Sequence, residues 1–430
     1  MASILMIALL ASMALGVPIA VALGGSSALA LLAYTELPIT LLVQRIYVGL
    51  DSFPLLAAPL FILAGGLMET GGISLRITHL ASAIIGHVRG GLGMVVVLGT
   101  MLFSGISGSS TADTAAIGST MIPAMIRRGY PPAFATAIVA AAGGTGILIP
   151  PCILMVIYGL LTNTSVAALF MGGLLPGMFM GLSLMLGVWI MARRQGLPVE
   201  THFSAKAVFQ TAGRAGWALL MPIIIIGGIL LGVFTVTEAA VVAVVYGFII
   251  AKFVYRELSW RDVLKVLIDS GSITGAVMLV VGMAGIFAWL LTSEQIPLVV
   301  ANWLVGISND PRFFLLLVNV TLLITGAFFE ETALLIMSIP ILMPLIERYH
   351  LDPVHFGVVM TANLGIGLVA PPVGVCLFVA CGISKVPLEA VIRPLLPLIG
   401  VMIATLILIT YWPELTLFLP KVLLGYTPRG

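Results

Sequence analysis

Two stretches of this chain carry oxygen-bearing side chains where the surrounding sequence is almost wholly apolar. Ser107, Ser109, Ser110, Thr111, Asp113 and Thr114 fall within residues 105–116, and Glu330, Glu331 and Thr332 follow Gly326. Two further segments are rich in glycine and end in Pro-Pro. One holds Gly143, Gly144, Thr145, Gly146 and Ile149 before Pro150 and Pro151; the other holds Asn363, Gly367 and Ala370 before Pro371 and Pro372. Glycine permits unwound backbone, and a Pro-Pro pair withholds two donors, so each segment reads as a break in a helix. At such a break the carbonyls ending one half-helix suit a hard cation, and the N–H groups opening the next suit an anion. Left bare in hydrocarbon, each of these groups costs several kcal/mol.

Two sodium sites are expected on this reasoning. The first combines Ser107, Ser109 and Ser110 with Gly143, Thr145, Gly146 and Ile149. The second combines Gly326, Glu331 and Thr332 with Asn363, Gly367 and Ala370. The competing reading is that small polar residues merely let helices approach closely. A phosphate-binding loop is excluded because no Gly-Lys-Ser/Thr follows the glycines. Asp113, Glu330 and Glu331 are costly at membrane depth, and three roles stay open: balancing a cation, capping a half-helix, or relaying a proton. Glu69, Glu238 and Glu294 fall near span ends, where a solvated role is expected. His79, His87, His202, His350 and His355 lie in loops or at their borders without ligand spacing, so no transition-metal site is assigned.

The elements that must position these residues are membrane helices. Sixty per cent of the 430 residues are hydrophobic and 8% are charged, with a mean hydropathy of +1.21, which excludes a soluble globular surface. Apolar runs at 219–234, 239–250, 275–291 and 395–411 are long enough to cross about 30 Å of hydrocarbon as helices. A polytopic all-α bundle follows. Residues 1–33 have no basic residue ahead of the apolar run and read as an uncleaved first span, not a signal peptide. Cys152, Cys376 and Cys381 lie in apolar or glycine-rich segments and suit packing. A formal charge of +2 with no basic tail argues against nucleic acid.

The chain repeats itself. A single ungapped shift of 221 residues, which carries Pro151 onto Pro372, also aligns Pro123 with Pro344, Arg127 with Arg348, Gly144 with Gly365 and Gly105 with Gly326. Gly/Pro-interrupted segments at matching places in two halves mark a secondary transporter built from repeats. The positive-inside rule then places the basic residues of 76–89, 127–128, 193–214 and 252–265 in the cytoplasm. The first hairpin, with its tip near 105–110, enters and leaves by that face. Spans over 133–161, 166–191, 217–235, 236–251 and 272–291 follow, so the second hairpin, 313–346 with its tip near 326–332, enters from the opposite face. The repeats are therefore inverted. Residues 36–51 and 255–269 are expected to lie along the membrane as bracing arms.

These motifs, residues 103–123, 143–151, 326–340 and 363–380, together resemble the large membrane subunit of tripartite ATP-independent periplasmic (TRAP) transporters over essentially the whole chain. The resemblance implies sodium-driven import of a small organic anion, such as a C4-dicarboxylate, a sialic acid or another carboxylate. It further implies a periplasmic binding protein that delivers the anion, a small four-helix membrane subunit, and an elevator motion in the bacterial inner membrane, with no cofactor beyond the coupling ion. Scaffold is expected at 1–86 and 163–311, transport-domain halves at 87–162 and 312–384, and a last span with a tail at 385–430. Substrate would lie between the two ion sites, near Ser109, Asp113, Pro150, Pro151, Glu330, Pro371, Pro372 and Cys376. Cys152, Ala370 and Cys376 depart from the serine, threonine and asparagine common in that family and remove side-chain oxygens. A stand-alone divalent-anion/sodium symporter is the alternative. An enzyme would need a nucleophile with a base, and neither Ser109 nor Asp113 has a histidine near it in sequence.

Overall fold

The computed structural model describes residues 2–34, 38–197 and 204–428 and is helical, with no strand among the described residues. The first half runs α1 (Ala2–Ala14), α2 (Ile19–Tyr34), α3 (Thr40–Leu50), a 3-10 turn (Phe53–Leu56), α4 (Ala57–Thr70), α5 (Ile73–Ile85), α6 (Gly91–Ser107), α7 (Ser110–Arg127), α8 (Pro132–Gly146), α9 (Ile153–Thr162) and α10 (Val166–Arg194). The second runs α11 (Ala205–Leu230), α12 (Val236–Ile249), a π-helical turn (Ile250–Val254), α13 (Trp260–Ser293), α14 (Ile296–Ile307), α15 (Pro311–Gly326), α16 (Glu331–Arg348), α17 (Pro353–Gly367), α18 (Val375–Ser384), α19 (Leu388–Tyr411) and α20 (Pro413–Leu424).

Among the described residues, six helices are long and apolar enough to cross a membrane: Phe53–Thr70, Val166–Arg194, Ala205–Leu230, Val236–Val254, Trp260–Ser293 and Leu388–Tyr411. Their outward faces carry leucine and isoleucine, as at Leu182, Leu186 and Ile223, which only lipid or a partner tolerates at this density. The elements bearing the polar motifs are shorter. The 15 residues of α8 rise about 22 Å, well under the hydrocarbon thickness, so α8 and α9 cross as two half-helices. Likewise α6 and α7, and α15 and α16, form hairpins that turn around inside the protein.

The 221-residue register governs the structure. It maps Ser110–Arg127 onto Glu331–Arg348 and Pro132–Gly146 onto Pro353–Gly367 with identical boundaries. Packing is reciprocal: α7 lies on α18 as α16 lies on α9, and α6 on α8 as α15 on α17. The two interrupted helices cross each other at Gly144 and Gly365. A Cβ on Gly144 would stand 2.5 Å from the Gly365 carbonyl oxygen, and one on Gly365 would strike that of Gly144. A residue touching its own repeat mate marks a two-fold axis. Between the hairpins the chain crosses by α8–α9, α10, α11, α12 and α13, an odd number, so the hairpins enter from opposite faces. The protein is a bundle of two inverted repeats, each with a re-entrant hairpin and a discontinuous helix.

Two expectations are corrected. The first span is not one helix: Gly16, at φ +75°, and Pro18 break it into α1 and α2, which fold back on each other. The second arm is not a separate helix either; it is the start of the 34-residue α13. The cause is local. The first arm is cut from its span at Asp51–Pro54, where Pro54 begins a new turn, whereas position 275, its repeat mate, is glycine and the helix runs through. Glu36 and His202 lie outside the described residues.

Candidate functional site

Each hairpin turns over a few residues. At the first tip α6 stops at Ser107, Gly108 takes φ +67°, Ser109 is extended, and α7 starts at Ser110. Glycine is required at 108 for its sign of φ and because a Cβ there would sit 2.9 Å from the Pro151 carbonyl oxygen. Below the tip, fully buried Asp113 accepts hydrogen bonds from the hydroxyls of Ser104 and Ser107. These serines are three apart and share one face of α6, so a single carboxylate of α7 ties the hairpin's two arms together.

The first tip rests on the first break. A Cβ on Gly143 would strike Thr114 Oγ1 and come 3.2 Å from the Ser110 carbonyl oxygen, and one on Gly146 would lie 3.0 Å from Asp113 Oδ2. Ser107, Ser110, Gly143 and Gly146 are thereby brought together. Thr145 is fully buried, and its hydroxyl donates to Ala142 O at 2.7 Å, keeping its lone pairs free. Ile149 donates its N–H to Gly146 O at 2.8 Å and packs near Gly105. Ser109 stands at the tip, its hydroxyl 3.1 Å from that of Thr111. The Ser110 Oγ is buried and has no hydrogen-bond partner.

The second tip follows the same plan with different atoms. There α15 ends at Gly326, and Glu330 caps α16 by accepting from Ala333 N at 2.9 Å. This is the capping role for Glu330. Gly367, the last residue of α17, approaches Gly326 so closely that a Cβ would lie 2.9 Å from the Gly326 Cα, and Val373 N donates to Ala327 O at 3.1 Å. Asn363, one turn earlier and fully buried, donates through Nδ2 to Asn319 O at 3.0 Å and to Asn319 Oδ1 at 2.9 Å. Its own Oδ1 is buried without a partner, as is Glu331 Oε2.

Both tips open onto one cavity of about 420 Å³. Ser107–Ala112 line it from the first hairpin, Glu330–Thr332 from the second, and Ile147, Ile153 and Leu154 from the first break. The facing wall belongs to α4, with Gly65 and Glu69, and to α13, with Asp262, Lys265, Asp269 and Ser270. Of the positions expected for substrate, Ser109 and Glu330 are on this lining; Asp113, Pro150, Pro151, Pro371, Pro372 and Cys376 are not. Of those expected for sodium, Ser107, Ser109, Ser110, Glu331 and Thr332 line the cavity, while Gly143, Thr145, Gly146, Ile149, Gly326, Asn363, Gly367 and Ala370 do not; Ala370 stands at the second break, its N–H bonded to Ile366 O at 3.0 Å.

Several residues escaped the sequence reading. Ser104, Asn319 and Thr410 serve the sites from within helices, and Glu69, read as solvated, lines the cavity. Their signal was a lone polar residue inside an apolar run. His355 is at a loop border, in the first turn of α17, where it is buried and hydrogen-bonded to Thr416 Oγ1 and the Thr410 carbonyl; His79 lies within α5, not at a loop border. Glu238 behaves as read, closing a capping box with Thr235.

The family model described as the tripartite ATP-independent periplasmic transporter, DctM component, matches residues 6–415. The chain belongs to this family. The large permease protein DctM of a C4-dicarboxylate TRAP transporter from Pseudomonas aeruginosa is 44% identical over 399 residues, 93% of each chain. The isethionate TRAP transporter permease protein DctMQ of Oleidesulfovibrio alaskensis is 41% identical over 94% of this chain, which spans 64% of that longer protein. The crystal structure of the Alcanivorax borkumensis YdaH transporter shares the fold, with a TM-score of 0.61 over 87% of each chain at 16% identity. The protein is thus a TRAP large permease, a multi-pass protein of the bacterial inner membrane.

Proposed function

We propose that this TRAP permease imports a small organic anion by sodium symport. The observation that carries the coupling ion is the placing of unpaired oxygens: Ser110 Oγ at the first site and Asn363 Oδ1 at the second are buried without a partner. A buried acceptor left unsatisfied costs about 1–3 kcal/mol, which a hard cation at each helix break would recover. Ser107, Ser109, Ser110, Gly143, Thr145, Gly146 and Ile149 frame the first ion, and Gly326, Glu331, Thr332, Asn363, Gly367 and Ala370 the second, through side-chain oxygens and half-helix carbonyls. Asp113, beside Gly146, supplies negative charge to the first.

The anion occupies the shared cavity. The start of α7, where no side chain caps the first turn, turns its free N–H groups toward it at Thr111 and Ala112. Two of the relatives described above carry a C4-dicarboxylate or isethionate by name, which supports the anionic class. A periplasmic binding protein delivers the substrate, and a small four-helix subunit completes the permease. The hairpins and interrupted helices (87–162 and 312–384) move as one elevator body against a scaffold that includes α4 and α13; sodium and substrate fill the tips and release the body to move. The chain acts as a carrier, not an enzyme, and sodium is its only accessory ion.

The test is uptake into proteoliposomes holding the permease, the small subunit and the binding protein. Accumulation is expected to depend steeply on an inward sodium gradient, whereas full uptake under potassium with sodium absent would overturn the symport.

A further inference from the structure

We propose that Asn319 is a positioning residue of the second ion site: it aims the Asn363 carbonyl oxygen at the cation without touching the ion. The inference rests on the sodium reading above. Its basis is a buried chain of hydrogen bonds whose polarity can run in only one direction. Thr410 Oγ1, on α19, donates its single proton to Leu406 O at 2.8 Å, so toward Asn319 it can only accept. Asn319 Nδ2 fills that role at 2.9 Å. The Asn319 Oδ1 is therefore turned the other way, where it accepts from Asn363 Nδ2 at 2.9 Å; the Asn319 backbone carbonyl accepts from the same amide at 3.0 Å.

Both protons of the Asn363 amide are spent on Asn319. Reversing either amide would set NH2 against NH2, or oxygen against oxygen, in a place where no water can relieve the clash: Asn363 and Asn319 are 0% and 6% exposed. Asn363 Oδ1 is forced to the far side of its own amide, where no protein donor meets it. An oxygen held fixed with empty lone pairs, one turn before the end of a half-helix, is a preorganised cation ligand. The far end of the chain is itself pinned, because His355 on α17 bonds the Thr410 carbonyl at 3.2 Å and Thr416 Oγ1 at 2.8 Å.

The device exists in one half only. The repeat mates of Asn363, Asn319 and Thr410 are Ala142, Leu98 and Trp189, so the first site cannot use it and relies on Asp113 with Ser104 and Ser107. Asn319 should accordingly affect one ion of the two.

The experiment measures the sodium concentration for half-maximal uptake in the reconstituted complex, together with sodium-dependent thermal stabilisation of the purified permease. N319L is expected to raise both sodium requirements about tenfold, the scale of one misdirected ligand, and to leave the substrate KM at saturating sodium unchanged. N319D, whose protonated carboxyl donates to Thr410 Oγ1 while its other oxygen accepts from Asn363, should need no more sodium than the parent. On an N363A background N319L should add no further shift. A parent protein indifferent to sodium would overturn the transport reading itself. If N363A shifts the sodium requirement and N319L does not, or if N319L shifts it equally with N363A already present, the positioning role alone is overturned. Should N319L fail to accumulate in membranes, N319A serves: it removes the same Oδ1 with a smaller side chain and should raise the sodium requirement, and an unchanged value overturns the role.

Discussion

At the residue scale, Asp113 does two jobs with one carboxylate. Its two oxygens accept from Ser104 and Ser107 and so tie the arms of the first hairpin, and its charge stands beside the end of α8. Hydrogen bonds to a charged group contribute about 1.5–3 kcal/mol each. S104A, which removes one of them from a fully buried carboxylate, is expected to lower the thermal unfolding temperature of the purified permease measurably. S119A is the control, since that hydroxyl bonds only the Ala116 carbonyl of its own helix at 3.0 Å and its loss should cost little. Equal effects from the two would show that the clamp contributes nothing beyond an ordinary surface-helix serine. The second tip is held by other means: Glu330 caps its own helix and Val373 bonds the Ala327 carbonyl. Inverted repeats thus keep a common backbone while their side chains diverge: a carboxylate clamps the first tip, and an asparagine pair stands beside the second.

At the scale of elements, α8 and α17 come backbone to backbone where they cross at Gly144 and Gly365. Alanine elsewhere in a helix gains about 1 kcal/mol over glycine. At Gly144 and Gly365 the added methyl meets backbone carbonyl oxygen on the opposite helix, which cannot turn aside as a side chain would. G144A and G365A should therefore each destabilise the permease by about 1–3 kcal/mol, read as a lower unfolding temperature, while G382A, with open space around it, should not. A stabilised G144A would mean the two interrupted helices do not touch there. This crossing also shows what the sequence makes legible. Glycine and proline write backbone geometry directly, so the breaks, both tips and the 221-residue register are legible in the sequence. Contacts made by side chains across distance could not. Nothing local says that Asn319 reaches Asn363, or that Ser104 shares Asp113 with Ser107. Continuity was the other blind spot: apolar runs hide the turn at Gly16–Pro18, and the absence of a proline at 275 decides that the second arm merges with its span.

At the scale of the whole molecule, the position of the cavity fixes which way the carrier faces. The wall facing the hairpins includes Asp262 and Lys265, at the start of α13, and the distribution of basic residues puts that end in the cytoplasm. On the proposed elevator, the body formed by the two hairpins is then in its inward position, with half-buried Thr111 on the cavity lining. An elevator must carry the same residue to the other side of the membrane, so accessibility is the decisive measurement. Cys152 and Cys376 are buried, and only Cys381 is partly exposed, so T111C combined with C381S gives a single reactive thiol. A membrane-impermeant maleimide is expected to reach it from the cytoplasmic side in the resting protein. During turnover with sodium, substrate and binding protein, the reagent applied from the periplasmic side should modify it as well, and labelling should arrest uptake. Thiol reactivity confined to the cytoplasmic side under every condition, with uptake proceeding normally, would mean that the hairpin body stays where it is and that the anion passes by some route other than the motion of the site.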